Sequence, residues 1–186
     1  ITPNVGNKIL SKLNFAKNKK IISLISTINI DKLKNLTKNK NIVRTTPLPP
    51  IEIKKGPIII CPPNKFAKDL FKHLGEVIEI KSEKLSYKFW ATASIMAAYY
   101  EILNVSSNWL IKKGINKTTA NNYIAELFLS LSQDAVNKKS QGFKKLVADS
   151  QTPKGLNMQV LNELRRSKFY SKFIKAMDNV NKRVSS

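Results

Sequence analysis

The stretch Gly56–Ile80, GPIIICPPNKFAKDLFKHLGEVIEI, decides the fold class. Gly56-Pro57 is a turn signal, and Ile58 to Cys61 is a short, largely β-branched run of the kind buried on both faces of a sheet. Pro62-Pro63 stops that strand. Residues 65–74 then repeat Phe66, Leu70, Phe71 and Leu74 at helical spacing, which predicts an amphipathic helix with Gly75 as its stop. Residues 77–80, VIEI, alternate apolar and acidic side chains as a half-exposed strand does. Strand, helix and strand in succession predict an α/β sheet with helical crossovers.

Toward the N-terminus the alternation continues. Residues 7–16 place Ile9, Leu10, Leu13 and Ala16 on one helical face, and IISLIS (21–26) reads as a buried strand. Asp31 is a candidate cap for a short helix with Leu33 and Leu36 turned inward. Asn41–Arg44 reads as another strand, ended by Pro47, Pro49 and Pro50, which are expected to forbid helix there. Toward the C-terminus the pattern changes near Ser82 and no further strand is predicted. A long apolar helical stretch (84–113) carries Phe89, Trp90, Ile95, Met96, Tyr99, Leu103 and Trp109 and breaks at Gly114. Thr118 or Thr119 is the candidate cap of the next helix, which carries Tyr123, Leu127, Phe128 and Leu131. Three more helices follow, around Phe143–Val147, Met158–Leu164 and Phe169–Val180. The expected organisation is an α/β part over 1–83 and an all-helical part over 84–186. The helices at 84–113 are apolar on most faces, and burial in a homodimer is the economical way to cover them.

With 186 residues, 42% apolar and 24% charged, the chain supports a packed core and excludes global disorder. No apolar run approaches the ~20 residues that span a bilayer, and no secretory signal pattern is present. One cysteine, Cys61, and one histidine, His73, exclude an internal disulfide framework and the common Cys- or His-rich metal sites, so no metal and a reduced, cytoplasmic setting are expected. The formal charge is +21. A polyanion partner such as nucleic acid would explain it; so would compositional drift, because Lys, Asn and Ile share A/T-rich codons. The 29 lysines against 4 arginines, spread from Lys8 to Lys182, favour drift and disfavour nucleic acid, whose dedicated binders use Arg for bidentate contacts.

The sequence contains no Gly-x-Gly-x-x-Gly, no P-loop and no Gly-x-Ser-x-Gly elbow, and no carboxylate pair stands out. Cys61 at a strand end and His73 on a Lys-rich helix read as structural. An enzyme on this chain must take its hard chemistry from a cofactor. Three turns remain: Thr2-Pro3, Arg44-Thr45-Thr46-Pro47-Leu48-Pro49, and Thr152-Pro153-Lys154-Gly155-Leu156-Asn157. The last has the form of an anion site, with unpaired N–H groups at a helix start and Gly155 allowing close approach. It reads equally as a plain helix-start turn with Pro at a tolerated position.

These motifs, in this order, resemble the pyrroline-5-carboxylate reductase family. Ile1-Thr2-Pro3 resembles the family's Val-Lys-Pro after a sheet strand, and Ser23–Thr27 followed by Ile30–Leu33 resembles its Ser-x-Ala-Ala-Gly and short helix. Arg44–Pro49 resembles its Arg-x-Met-Pro-Asn-Thr, with Gly56 matching the glycine beyond. Leu74-Gly75 resembles Phe-Gly before a strand, and Thr152–Asn157 resembles Ser-Pro-Gly-Gly-Thr-Thr. The match continues through Leu164, Phe169 and Ala176-Met177 and so covers nearly the whole chain.

The resemblance implies the C-terminal part of a Rossmann-type domain over 1–83 and a helical dimerisation domain over 84–186. It implies NAD(P)H-dependent hydride transfer to a cyclic imine carboxylate or a related imine or keto acid, in proline biosynthesis, by a homodimer joined through the C-terminal helices. In the family a first strand and Gly-rich phosphate loop lie upstream of Val-Lys-Pro. Together with Ile1 in first place, this leads to the expectation of an N-terminally truncated chain that binds dinucleotide poorly. Thr2, Pro3, Ser26, Thr27, Pro47 and Leu48 would hold the nicotinamide side of NADPH or NADH. Thr152, Gly155, Leu156 and Asn157 would bind the substrate carboxylate, facing the partner's cofactor site, and Thr92 would touch the imine nitrogen. Some positions depart from the pattern. Leu48 replaces the family's Asn, and Phe89–Ile95 lacks the glycines and proline of Ser-Gly-Ser-Gly-Pro-Ala-Tyr. Lys154 replaces a glycine of the turn, and Leu156 and Asn157 replace its threonines. These departures leave open a noncatalytic helical dimerisation module or a basic nucleic-acid-associated protein as alternatives.

Overall fold

A computed structural model describes residues 3–25 and 28–185. The chain divides into two compact units, Ile1–Ser94 with Met177–Ser186, and Ile95–Ala176.

The first unit carries a four-stranded sheet of β1 (Ile21–Ser23), β2 (Ile42–Thr46), β3 (Pro57–Cys61) and β4 (Glu76–Glu79), in that spatial order. β1/β2 and β3/β4 are parallel and joined by helices; β2/β3 is antiparallel. The antiparallel pair departs from the all-crossover expectation because the connection 47–56 is too short for a crossover helix. It holds instead a 3₁₀ turn, Pro49–Ile53, with Pro at its first positions. The prolines thus permit one tight helical turn where the sequence argued against any helix, since fixed φ and a missing N–H cost nothing at a helix start.

Helix α1 spans Pro3–Leu10, ending before Leu13, and α2 spans Ile30–Thr37. The cap of α2 is Asn29, whose side chain accepts from the Lys32 N–H at 2.8 Å, so Asp31 falls inside the first turn. β1 is half as long as IISLIS suggested. On one sheet face Val43, Ile58 and Ile60 pack against Ala67 and Phe71 of α3 (Lys65–Phe71). Phe66 and Leu70, expected inward, are exposed, because Ala67 and Phe71 define the buried stripe. On the other face Ile42 packs with Leu10, Ile28 and Leu33, and Ile59 and Cys61 pack with Ile80. Gly75 is required by the chain crossing beside it: a Cβ there would lie 2.5 Å from the Gly56 carbonyl oxygen.

The stretch 84–113 is two helices, α4 (Glu83–Ala93) and α5 (Met96–Lys112), separated at Ser94-Ile95. In the second unit α5 pairs with α6 (Lys117–Lys138), whose cap is Asn116, accepting from Thr119 N–H at 2.9 Å, rather than either threonine. Ala120 and Ile124 are buried at that contact, where the Ser107 hydroxyl donates to Asn121 Oδ1 at 2.6 Å. Helices α7 (Phe143–Asp149), α8 (Leu156–Arg166) and α9 (Phe169–Ser185) complete the chain. Within this unit Tyr100, Trp109, Tyr123, Leu131 and Phe143 are each more than half exposed, so a single copy leaves a large apolar surface uncovered. Among the described residues no helix is long and apolar enough to cross a membrane, and no group of three His, Cys, Asp or Glu could hold a metal ion.

Candidate functional site

Parallel β1 and β2 end on the same edge of the sheet, the edge at which open α/β sheets hold ligands. Thr46 closes β2 there, with its hydroxyl buried and without a hydrogen-bond partner among the described residues. Pro47 and Leu48 follow, both half-buried, and the Leu48 carbonyl accepts from Ile51 N–H at 2.9 Å to start the 3₁₀ turn. Pro3 opens α1. Thr2, Ser26 and Thr27 lie outside the described residues.

Next to this edge lies a junction that the sequence reading missed. Arg44, in the middle of β2, is 2% exposed and shares its sheet face with Ile42 and Cys61. Its guanidinium pairs with the Glu83 carboxylate at the start of α4, donates to the Ile25 carbonyl at 3.2 Å and lies 4.3 Å from the Trp90 ring centroid. Both Glu83 oxygens also accept from the Ile30 N–H, at 3.0 and 3.2 Å. One ion pair therefore ties the segment after β1, the start of α2, β2 and α4 together. The visible signal was a lone arginine inside an apolar strand in a chain that otherwise uses lysine. Such a residue must be paired to be buried.

Cys61 stands opposite Arg44 in the antiparallel register. Burial pushes its thiol up, with the Glu83 carboxylate adding to the effect and Ser86 and Arg44 opposing it. The thiol is therefore held neutral. A proton retained by the fold and lost by the unfolded chain makes stability present below the ordinary thiol pKa and lost as pH rises through the raised one. We expect a decline in stability above about pH 8.5 that Cys61→Ala removes, measured by urea titration across that range. His73 is exposed, on the turn after α3.

Thr92 lies near the end of α4, exposed, with its hydroxyl donating to the Lys88 carbonyl at 3.0 Å. The turn 152–157 lies in the other unit. Gly155 is the N-cap residue of α8 with no side-chain capping bond, so the first-turn N–H groups of the helix face outward unsatisfied by side chains. Gly155 N–H donates to the Thr152 carbonyl at 2.8 Å, and Asn157 donates to the Ser150 carbonyl at 2.9 Å. Lys154 holds φ 61 at the place of the family's glycine, and Leu156 is 82% exposed. A Cβ on Gly155 would stand 2.2 Å from Thr152 Oγ1 and 3.0 Å from its carbonyl oxygen. Gly155→Ala therefore requires the Thr152 hydroxyl to rotate away and the Thr152 carbonyl to shift slightly, at a cost of roughly 1 kcal/mol, readable as a lowered melting temperature and faster amide exchange at 155–159.

The family model for the pyrroline-5-carboxylate reductase dimerisation domain matches residues 83–186, more than half of the chain. The chain belongs to the pyrroline-5-carboxylate reductase family. No curated protein matches it by sequence. Solved structures do. The *Plasmodium falciparum* pyrroline carboxylate reductase with NADP bound superposes with a TM-score of 0.86 at 22% identity, covering 100% of this chain and 74% of the other. The *Streptococcus pyogenes* 1-pyrroline-5-carboxylate reductase gives 0.86 at 22%, covering 100% and 73%. The *Coxiella burnetii* enzyme gives 0.82 at 21%, covering 99% and 72%. The sheet is thus the Rossmann-type portion, and residues 83–186, from α4 onward, match the family's dimerisation domain.

Proposed function

We propose that this family member is an NAD(P)H-dependent reductase of a cyclic imine carboxylate or a related imine or keto acid, working as a homodimer joined through its C-terminal helices. The observation that carries the reading is the match of 83–186 to the family's dimerisation domain, with an uncapped, glycine-started helix in the turn at 152–157. The large exposed apolar surface of the helical unit supports the homodimer. NADP is bound in the *Plasmodium falciparum* structure. The residues here fit its nicotinamide end, because the buried Thr46 hydroxyl at the sheet's ligand edge still needs a polar partner. Pro3, Pro47 and Leu48 would line that place, with Thr2, Ser26 and Thr27. When bound, the reduced nicotinamide supplies the hydride.

The chain's own residues then bind and orient. The N–H groups at the start of α8 take the carboxylate of the substrate at the partner's cofactor site, helped by the helix dipole, with Thr152, Gly155, Leu156 and Asn157 forming the turn. Thr92 offers its hydroxyl to the imine nitrogen by turning away from the Lys88 carbonyl. On this reading the protein serves proline biosynthesis in the cytoplasm.

The test is NADPH oxidation with a pyrroline carboxylate, on the chain preceded by the first strand and Gly-rich phosphate loop that the family places before Val-Lys-Pro, alongside light scattering for the dimer. Gly155→Ala is expected to lower kcat/KM about 10-fold, mainly through KM, with the dimer intact, since the shifted turn lengthens the charge-assisted hydrogen bonds to the carboxylate. A dimer without turnover or ligand binding would favour the noncatalytic dimerisation module, a reading to which the exposed Leu156 in the turn also points.

A further inference from the structure

We propose that the edge of the sheet where β1 and β2 begin binds single-stranded nucleic acid without sequence preference, independently of the reductase reading. The lysines that look scattered in sequence converge there. Parallel pairing sets Ile21 beside Ile42, so the loops before both strands emerge side by side, and Ile21 N–H donates to the Asn41 carbonyl at 2.9 Å. The two loops are pinned together by Asn39, which is 2% exposed. Its amide donates to the carbonyls of Ala16 at 3.0 Å and Lys19 at 2.9 Å, while its oxygen accepts from Asn41 N–H at 2.7 Å. That built core presents Lys17, Lys19, Lys20, Lys38 and Lys40, all exposed.

A third segment arrives at the same edge. β3 runs antiparallel to β2 and ends at Cys61 opposite Arg44, delivering Asn64–Phe66 beside the loops. Lys20 Nζ lies 4.4 Å from the Phe66 ring centroid, and Lys65 adds another exposed cation. Among the described residues none of these lysines forms an ion pair. The sequence carries no Asp or Glu in 1–30 or 32–51, and Asp31 sits at the far end of α2 from Lys38.

The chemistry selects the partner. Lysine ammoniums without arginine forks suit phosphate contacts and not base readout. Phe66, 45% exposed beside them, supplies a ring on which an unpaired base can stack in place of the Lys20 ammonium, which then turns to phosphate. A duplex offers no free base face, and a lipid surface needs no stacking ring.

The experiment is fluorescence anisotropy with labelled oligo(dT) and oligo(rU) over a salt series. The rim variant Lys17→Gln/Lys19→Gln/Lys38→Gln/Lys40→Gln is compared with a charge-matched control, Lys112→Gln/Lys139→Gln/Lys144→Gln/Lys172→Gln. The rim variant is expected to bind at least tenfold more weakly, with the log–log salt slope reduced by about 3, at ~0.7 per phosphate contact. The control should leave both nearly unchanged. Phe66→Ala should weaken binding at least about fivefold without changing the slope, and Phe66→Trp should restore it. A rim variant with the four lysines changed to arginine checks folding and should still bind. Equal losses in rim and control variants would overturn the proposal in favour of diffuse charge. Binding to phosphatidylserine vesicles with none to the oligonucleotides would also overturn it.

Discussion

Glu83→Ala is expected to be among the most destabilising single substitutions in the sheet unit, at about 3–5 kcal/mol. The carboxylate it removes faces an arginine that is 2% exposed, and the same oxygens accept from Ile30 N–H. Removing it takes the carboxylate away from a buried positive charge, which keeps the Ile25 carbonyl and the Trp90 ring, and takes the acceptor away from a backbone donor. Arg44→Met should cost less, because Glu83 is 21% exposed and water can replace its partner. The two changes in one chain should cost less than Glu83→Ala alone, which is the signature of a stranded charge. Trp90, 4.3 Å from the guanidinium, is the reporter, in a Trp109→Phe background that silences the other tryptophan. At roughly 2–4 °C per kcal/mol for a chain of this size, the melting temperature should fall by about 6–20 °C. Equal costs for Glu83→Ala and Arg44→Met, or a double variant as unstable as their sum, would show that the pair does not act as a unit.

Ile60→Ala is expected to cost about 2–5 kcal/mol, through lost burial and the cavity left behind. Ile60 is 0% exposed near the end of β3, where it meets Val43, Ile58, Ala67 and Phe71. Ile53→Ala is the internal contrast. Ile53 is 70% exposed at the end of the 3₁₀ turn, and its truncation should stay within about 0.5 kcal/mol. Urea midpoints measured on the three chains decide it, and an Ile60→Ala midpoint within error of the parent would remove Ile60 from the core.

The alternation of strand and helix over Gly56–Ile80 was readable because a short sequence carries its own period: β-branched run, proline stop, helical spacing. β3, α3 and β4 formed in that order, but α3 ends at Phe71 with Lys72 as its cap, short of the predicted stop at Gly75, and β4 is Glu76–Glu79, one residue earlier than read. Helix caps were read less well. Asn29 and Asn116 took the positions given to Asp31 and to Thr118 or Thr119, since several neighbouring side chains can cap and only backbone geometry chooses among them. The turn at 152–157 could be quoted from the sequence, but the reason for its glycine could not. Gly155 is needed because Thr152 folds back onto it.

Composition, the two-part organisation and the order of the family motifs are properties of the chain itself, written in local spacing that survives without a fold. Long-range partnership is not. Arg44 and Glu83 stand 39 positions apart, and the loops carrying Lys17–Lys20 and Lys38–Lys40 are joined by Asn39 across 20 and 23 positions. Only strand register and helix packing bring those groups together. A lysine's neighbours in space, unlike its neighbours in sequence, determine whether its charge is diluted by solvent or gathered on one edge.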